Sequence, residues 1–199
     1  MNQITPVRQA EFDVDPLFLE RWSPRAFADI PVSDAELLTV LDAAHWAPSA
    51  FNAQPWRFIY ARRGDAHWDK LLGVLNDFNR GWAQHAGALV VIVSQTHTTA
   101  PGADTPTPSY SHSFDAGAAW GQLALQARLL GLYAHGMTGL DFDKAPALLG
   151  LPEGYRIEAA VALGHIGDKA NLPDFLRDRE APSHRRPLAE VAFAGSLAA

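Results

Sequence analysis

Ala88-Leu89-Val90-Val91-Ile92-Val93 is a run of six residues without one polar side chain. Successive residues of a strand point to opposite faces, so such a run has no face to offer water and belongs between two packed layers. A membrane helix needs ~20 apolar residues, and the apolar stretch here, Ala86 to Val93, stops well short of that. A strand covered on both sides calls for helices above and below a sheet, and the flanking sequence supplies them. With 199 residues, 48% of them hydrophobic and 19% charged, the chain can build a sizeable core, and 1–199 reads as a single domain without a linker.

Ser33 and Glu36 have capping-box spacing ahead of a helix that carries Leu37, Leu38, Leu41 and Ala44 and ends at Pro48. Trp56 to Ala61 has strand composition. Asp65 is placed to cap a second helix bearing Trp68, Leu71, Leu72, Leu75 and Phe78 on one side. The stretch QTHTTAPGADTPTPSYSHS reads as a long irregular surface loop, either a lid or interface element or a tolerated insertion.

Helical spacing returns from Phe114 to Leu130, crowded with Ala116, Gly117, Ala118, Ala119, Gly121 and Ala124. A glycine weakens a helix by ~1 kcal/mol relative to alanine, so two imply a packing or ligand reason, of which close helix-to-helix approach is the simplest. Gly131 fits the residue just past the helix end. Strands around Tyr133–Met137 and Ile157–Leu163 and a short helix at Asp143–Leu149 complete an α+β pattern. The expected architecture is a central sheet flanked by helices.

Two polar segments stand out from this framework. RWSPRAF, Arg21 to Phe27, sets two guanidiniums and a hydroxyl close together, and forked donors of this kind suit a phosphate or an electron-rich carbonyl edge. APSAFNAQPWRF, Ala47 to Phe58, offers Ser49, Asn52 and Gln54 on backbone stiffened by Pro48 and Pro55. Taken singly, either could also be a solvated turn. Other chemistries lack their residues. Cysteine is absent, which removes disulfides and thiolate catalysis, and the eight histidines show no metal-ligand spacing, so no metal centre is expected. No G-x-S-x-G elbow or P-loop occurs, and GHIGD, Gly164 to Asp168, lacks the third glycine of a dinucleotide fingerprint and reads as a turn. Asp141 and Asp143 are placed to cap the following helix. A net charge of −6 without a Lys/Arg run argues against nucleic acid. The N-terminal MNQITPVRQAEFDV has no signal-peptide pattern, so a cytoplasmic location is expected. This inventory leaves room for redox chemistry carried by a bound cofactor.

In order along the chain, the two polar segments resemble motifs of the FMN-dependent nitroreductase family: RWSPRAF is similar to its R-x-S-x-R/K-x-F signature and APSAFNAQPWRF to its P-S-x-x-N-x-Q-P-W motif. Asn79 and Trp82, the helix DAGAAWGQLALQARLLGL and the C-terminal RRPLAEV extend the likeness over nearly the whole chain. The resemblance implies a nitroreductase-like fold with a mixed or antiparallel sheet, in an intertwined homodimer holding two FMN at its interface. It implies that Arg21, Trp22, Ser23 and Arg25 lie along the FMN phosphate, ribityl chain and pyrimidine edge, with Pro48, Ser49 and Asn52 approaching from the partner subunit. Asn79 would meet the ring edge, Thr138 and Gly139 would pass close to the ring, and Arg185 or Arg186 would complete the phosphate site. No side chain would be catalytic, since flavin N5 carries the chemistry. The implied activity is ping-pong reduction of nitroaromatics, quinones or similar acceptors at the expense of NAD(P)H. The alternatives are a dedicated substrate such as malonic semialdehyde, or flavin binding without turnover. Trp22, Phe51 and Gln122 depart from the family's usual residues.

Overall fold

The computed structural model describes residues 8–99 and 102–197. In chain order the strands are β1 (Trp56–Arg62), β2 (Ala88–Gln95), β3 (His97–Thr98), β4 (Thr107–Pro108), β5 (Tyr133–Met137) and β6 (Tyr155–Gly164). The α-helices are α1 (Pro16–Glu20), α2 (Asp34–His45), α3 (Trp68–Leu72), α4 (Asp77–Ala83), α5 (His112–Leu129), α6 (Ala145–Leu149) and α7 (Asp174–Arg177). The main sheet runs β1-β2-β6-β5, and every neighbouring pair is antiparallel. No described helix is long and apolar enough to cross a membrane.

The polar-free strand β2 lies inside this sheet, and its two faces feed two cores. Leu89, Val91 and Val93 pack with Trp68, Leu71 and Trp82, whereas Ala88, Val90 and Ile92 pack with Leu37, Val40 and Leu123 of α2 and α5. Val90, Val91 and Ile92 are each at most 1% exposed, and burying each such side chain contributes roughly 1.5–3 kcal/mol. The Ser33/Glu36 capping box forms as its spacing predicts, with Ser33 Oγ accepting from Glu36 N and Glu36 accepting from Ser33 N. The register shifts between Ile92 and Val93, leaving Glu158 as the extra residue of a bulge in β6. The Glu158 carboxylate there accepts from Ser94 Oγ at 2.5 Å and Ser113 Oγ at 2.8 Å, tying the start of α5 to the sheet.

Four expectations are corrected. The single second helix is two: α3 ends at Gly73, Leu75 pairs with Leu140, and α4 starts afresh with the Asn76 side chain accepting from Asn79 N at 2.9 Å. Asp65 caps neither, because its carboxylate is engaged by Arg62 N and the Arg62 guanidinium. The proline-rich stretch is not structureless, since β3 and β4 pair within it and Thr96 N donates to Gly154 O at 2.8 Å; Ala100 and Pro101 lie outside the described residues. Finally, the glycines of α5 answer no helix of this chain. A Cβ built at Gly117 or Gly121 meets nothing within 4 Å, so α5 is open at these two positions, whereas its Ala116, Ala119 and Ala124 are buried with α2 in the core.

Candidate functional site

RWSPRAF crosses one end of the sheet, and the GHIGD turn holds it there. Gly167 N donates to Ala26 O at 2.8 Å and Ala28 N donates to His165 O at 2.9 Å. A Cβ at Gly167 would sit 2.5 Å from the Phe27 carbonyl carbon, so glycine is needed for this backbone approach. Glu180, 7% exposed, comes in from the C-terminal segment, and its Oε1 accepts from Arg25 N at 2.6 Å and Ala26 N at 2.8 Å. The second oxygen of Glu180 lies 3.8 Å from Arg25 Nη1, and the Arg25 guanidinium stands 6.0 Å from the centre of the Trp82 ring. The Arg25 charge is therefore partly neutralised by Glu180.

His135 on β5 supports the same turn. Its Nδ1 lies 2.9 Å from the Pro24 carbonyl oxygen, which can only accept, so this nitrogen carries the proton. The ring centre is 4.6 Å from that of Trp82. Burial lowers the His135 pKa to about 4, the hydrogen bond to Pro24 opposing the shift and the charges of Arg25 and Arg21 adding to it. His135 is thus neutral in the folded protein at neutral pH. Because the unfolded chain takes up this proton near pH 6.5 and the folded one only near 4, folding stability should be complete above pH 6.5. It should fall progressively between those values, by up to about 3 kcal/mol. Denaturant titrations between pH 7 and pH 4 on wild type and His135→Gln check this: the variant should lose most of that slope, and an equal slope in both would exclude His135 as its source.

Toward the N-terminus of RWSPRAF, guanidiniums gather. The pKa of Arg21 is lowered by burial and by the charge of Arg185. Arg8 is lowered by burial and by both Arg185 and Arg21. Among the described residues none of the three is in an ion pair, the nearby carboxylates of Glu20 and Glu180 being taken by Arg128 and Arg25. Burial and like charge both disfavour the charged form, and a bound anion would relieve that cost. Arg185 and Arg186 both line a groove of about 750 Å³ that also includes Arg8 and Phe12, but Arg185 is the one whose field reaches Arg8 and Arg21. Ser23 Oγ makes a long contact, 3.5 Å, with Arg21 Nη1. Trp22 turns inward at 8% exposure, edge-on to Tyr133 at 6.1 Å, so what it can offer a ligand is backbone.

At the other end of the strip, Asn79 is 8% exposed and its Nδ2 donates to Gly139 O at 3.1 Å. A Cβ at Gly139 would lie 2.5 Å from Asn79 Nδ2 and 2.7 Å from Asn76 Nδ2, so only glycine passes between these amides. Thr138 and Gly139 follow directly from the strand that carries His135, so Asn79, Thr138 and Gly139 adjoin the Arg25 end of the turn.

Pro48, Ser49 and Asn52 are elsewhere. Ala50 N donates to Asp115 Oδ2 at 3.2 Å, which fixes their loop to the first turn of α5. Arg21 instead neighbours Glu20, whose carboxylate pairs with Arg128 in the last turn of α5 at 2.9 Å. At 1.5 Å per residue those two turns are about 20 Å apart. The loop is strained as well: Phe51, Asn52 and Gln54 have φ of 53°, 55° and 47°, and Phe51 is 98% exposed. Ser49 Oγ closes it by accepting from Gln54 N at 3.0 Å.

The strip from Arg8 to Gly139 fits FMN. Three uncompensated guanidiniums suit a phosphate dianion, a serine hydroxyl and peptide edges follow, and the buried Arg25 Nε is a donor without a partner among the described residues. Arg8, Asn76, His135 and Glu180 went unrecognised in the sequence, because each acts through a partner far along the chain. Asn76 alone left a local trace, as a capping residue three positions before Asn79.

A solved structure of an oxidoreductase containing FMN is 50% identical to the chain, superposes with a TM-score of 0.93, and each chain covers 98% of the other. An uncharacterised 15.4-kDa protein of Mycolicibacterium smegmatis is 38% identical over 148 residues, 70% of this chain and 95% of that protein. An NADH dehydrogenase of Thermus thermophilus is 30% identical over 203 residues, 88% of this chain and 92% of the relative. The sequence profile of the nitroreductase family matches residues 19–86 and 73–165, which takes in RWSPRAF, the strained loop, Asn79 and Gly139, and the chain belongs to the nitroreductase family.

Proposed function

We propose that the protein is an FMN-dependent oxidoreductase that takes reducing equivalents from NAD(P)H and delivers them to nitroaromatic, quinone or similar small acceptors. The observation that carries this reading is the meeting of Arg8, Arg21 and Arg185, none of them in an ion pair among the described residues, at the end of a strip of donors leading to Asn79 and Gly139. Bound FMN would supply the hydride chemistry, taking reducing equivalents from the nicotinamide and passing them to the acceptor in a ping-pong cycle.

Arg21 and Arg185 hold the phosphate, and Arg186 is left to the groove wall. Ser23 would hold the ribityl part of FMN and Arg25 its pyrimidine part. A guanidinium there favours negative charge on the ring system, to a degree that Glu180 moderates. Asn79 and the Thr138–Gly139 turn border the ring. With His135 neutral and hydrogen-bonded to Pro24, the turn stays fixed at neutral pH without adding a further cation. No side chain serves as general acid.

The separation of about 20 Å along α5 supports a homodimer in which Pro48, Ser49 and Asn52 of a second copy complete the site, and the open face at Gly117 and Gly121 supports close approach of that copy. Anaerobic stopped-flow reduction with NADH and with NADPH, followed by a panel of nitroaromatics, quinones, enones and aldehydes, tests the activity. A flavin spectrum bleached by nicotinamide and restored by the nitroaromatics or quinones is expected. Restoration by aldehydes alone would replace this reading with a dedicated carbonyl reductase.

A further inference from the structure

We propose that Arg8 is a positioning residue of the anion site, a clasp that joins the backbone carrying Arg21 to the backbone carrying Arg185 and so sets the preference for a flavin with a terminal phosphate. The inference rests on the FMN reading above. Arg8 is 8% exposed, and its fork is spent on main-chain carbonyls. Nε donates to Ser183 O at 2.8 Å, and Nη1 donates to Arg21 O at 2.6 Å and Leu19 O at 3.2 Å.

These acceptors sit on the two segments that supply the proposed phosphate ligands. Arg21 is itself one acceptor, and Ser183 lies two residues before Arg185 and receives bonds from its guanidinium. A planar guanidinium can hold three carbonyls in fixed directions, where a lysine ammonium would be a mobile point charge. The C-terminal segment has a second tie nearby, Leu188 N donating to Glu11 Oε1 at 2.7 Å, so its placement depends on the same N-terminal stretch. The arrangement also leaves Arg8 beside Arg21 and Arg185 with no ion pair among the described residues. An arriving dianion relieves that repulsion, and a neutral ligand does not.

The test measures dissociation constants of FMN and riboflavin, by flavin fluorescence, on the full chain as wild type, Arg8→Gln, Arg8→Lys and Arg21→Gln. Arg8→Gln should weaken FMN by about 10- to 100-fold and change riboflavin by less than about twofold. Arg8→Lys keeps the charge but loses the fork, so it should still weaken FMN by about 10-fold; if Arg8→Gln does not fold, Arg8→Lys carries the comparison. Parallel weakening of FMN and riboflavin, or unchanged FMN binding, overturns the proposal. If Arg21→Gln also fails to discriminate the two ligands, it is the phosphate assignment itself that falls.

Discussion

Glu180→Ala should destabilise the protein by about 3–5 kcal/mol, the scale for removing one partner of a buried charged network. The carboxylate is 7% exposed and caps two consecutive amides, Arg25 N and Ala26 N, that reach no other acceptor once it is gone. Removal also strands the Arg25 guanidinium against Trp82. For a chain of this size the loss corresponds to a fall in Tm of about 10 °C or more, readable by calorimetry on the flavin-free protein. Glu180→Gln separates the two causes. Its amide oxygen can still accept both N–H bonds, whereas its NH₂ group faces the guanidinium, so it should lose less than half as much. An alanine variant within 1 kcal/mol of wild type would show that the GHIGD turn, His135 and Arg8 hold RWSPRAF without Glu180.

This prediction rests on a residue that nothing in the sequence marks. Glu180 lies in a polar, proline-bordered stretch, and its partners are 154 and 155 residues away. Features written within a few residues of each other were legible: the doubly buried strand, the Ser33/Glu36 box, the Tyr133–Met137 strand and the C′ glycine at Gly131. Misreadings arose where one local signal had two outlets. Asp65 has the composition of a helix cap, yet Arg62 three residues earlier is a nearer claimant for its carboxylate. The apolar periodicity from Trp68 to Phe78 runs across two helices because Leu75 finds a bridge partner, Leu140, outside the helical register. The polar segments announced a ligand through residue type, but not that they stand at opposite ends of α5. That follows only from Asp115 and Arg128, whose spacing becomes a length once the helix is known to be continuous.

Gly121→Leu should abolish FMN retention while leaving the subunit folded. The position is interior to an 18-residue helix, where leucine in place of glycine favours the helix by up to ~1 kcal/mol. In its own subunit the new side chain meets open space, since no atom lies within 4 Å of a Cβ there. Circular dichroism and the unfolding free energy of the isolated subunit should therefore be at least those of wild type. Against a second copy packed on this face the same side chain is an obstruction, and overpacking a close contact is destabilising by typically 1–3 kcal/mol at each site. A twofold interface meets the substitution from both sides, so the dimer constant should drop by about 1.5 to 4 orders of magnitude. Size exclusion should then report a monomer. With Pro48, Ser49 and Asn52 tied to the far end of α5, that monomer should hold only the half-site built on Arg21, Ser23, Arg25 and Asn79, and titrated FMN should bind at least about 100-fold more weakly. A Gly121→Leu protein that stays dimeric and yellow would mean that the open face of α5 serves something other than the second subunit. A monomer that keeps FMN at wild-type affinity would mean that the strained loop contributes nothing to cofactor binding.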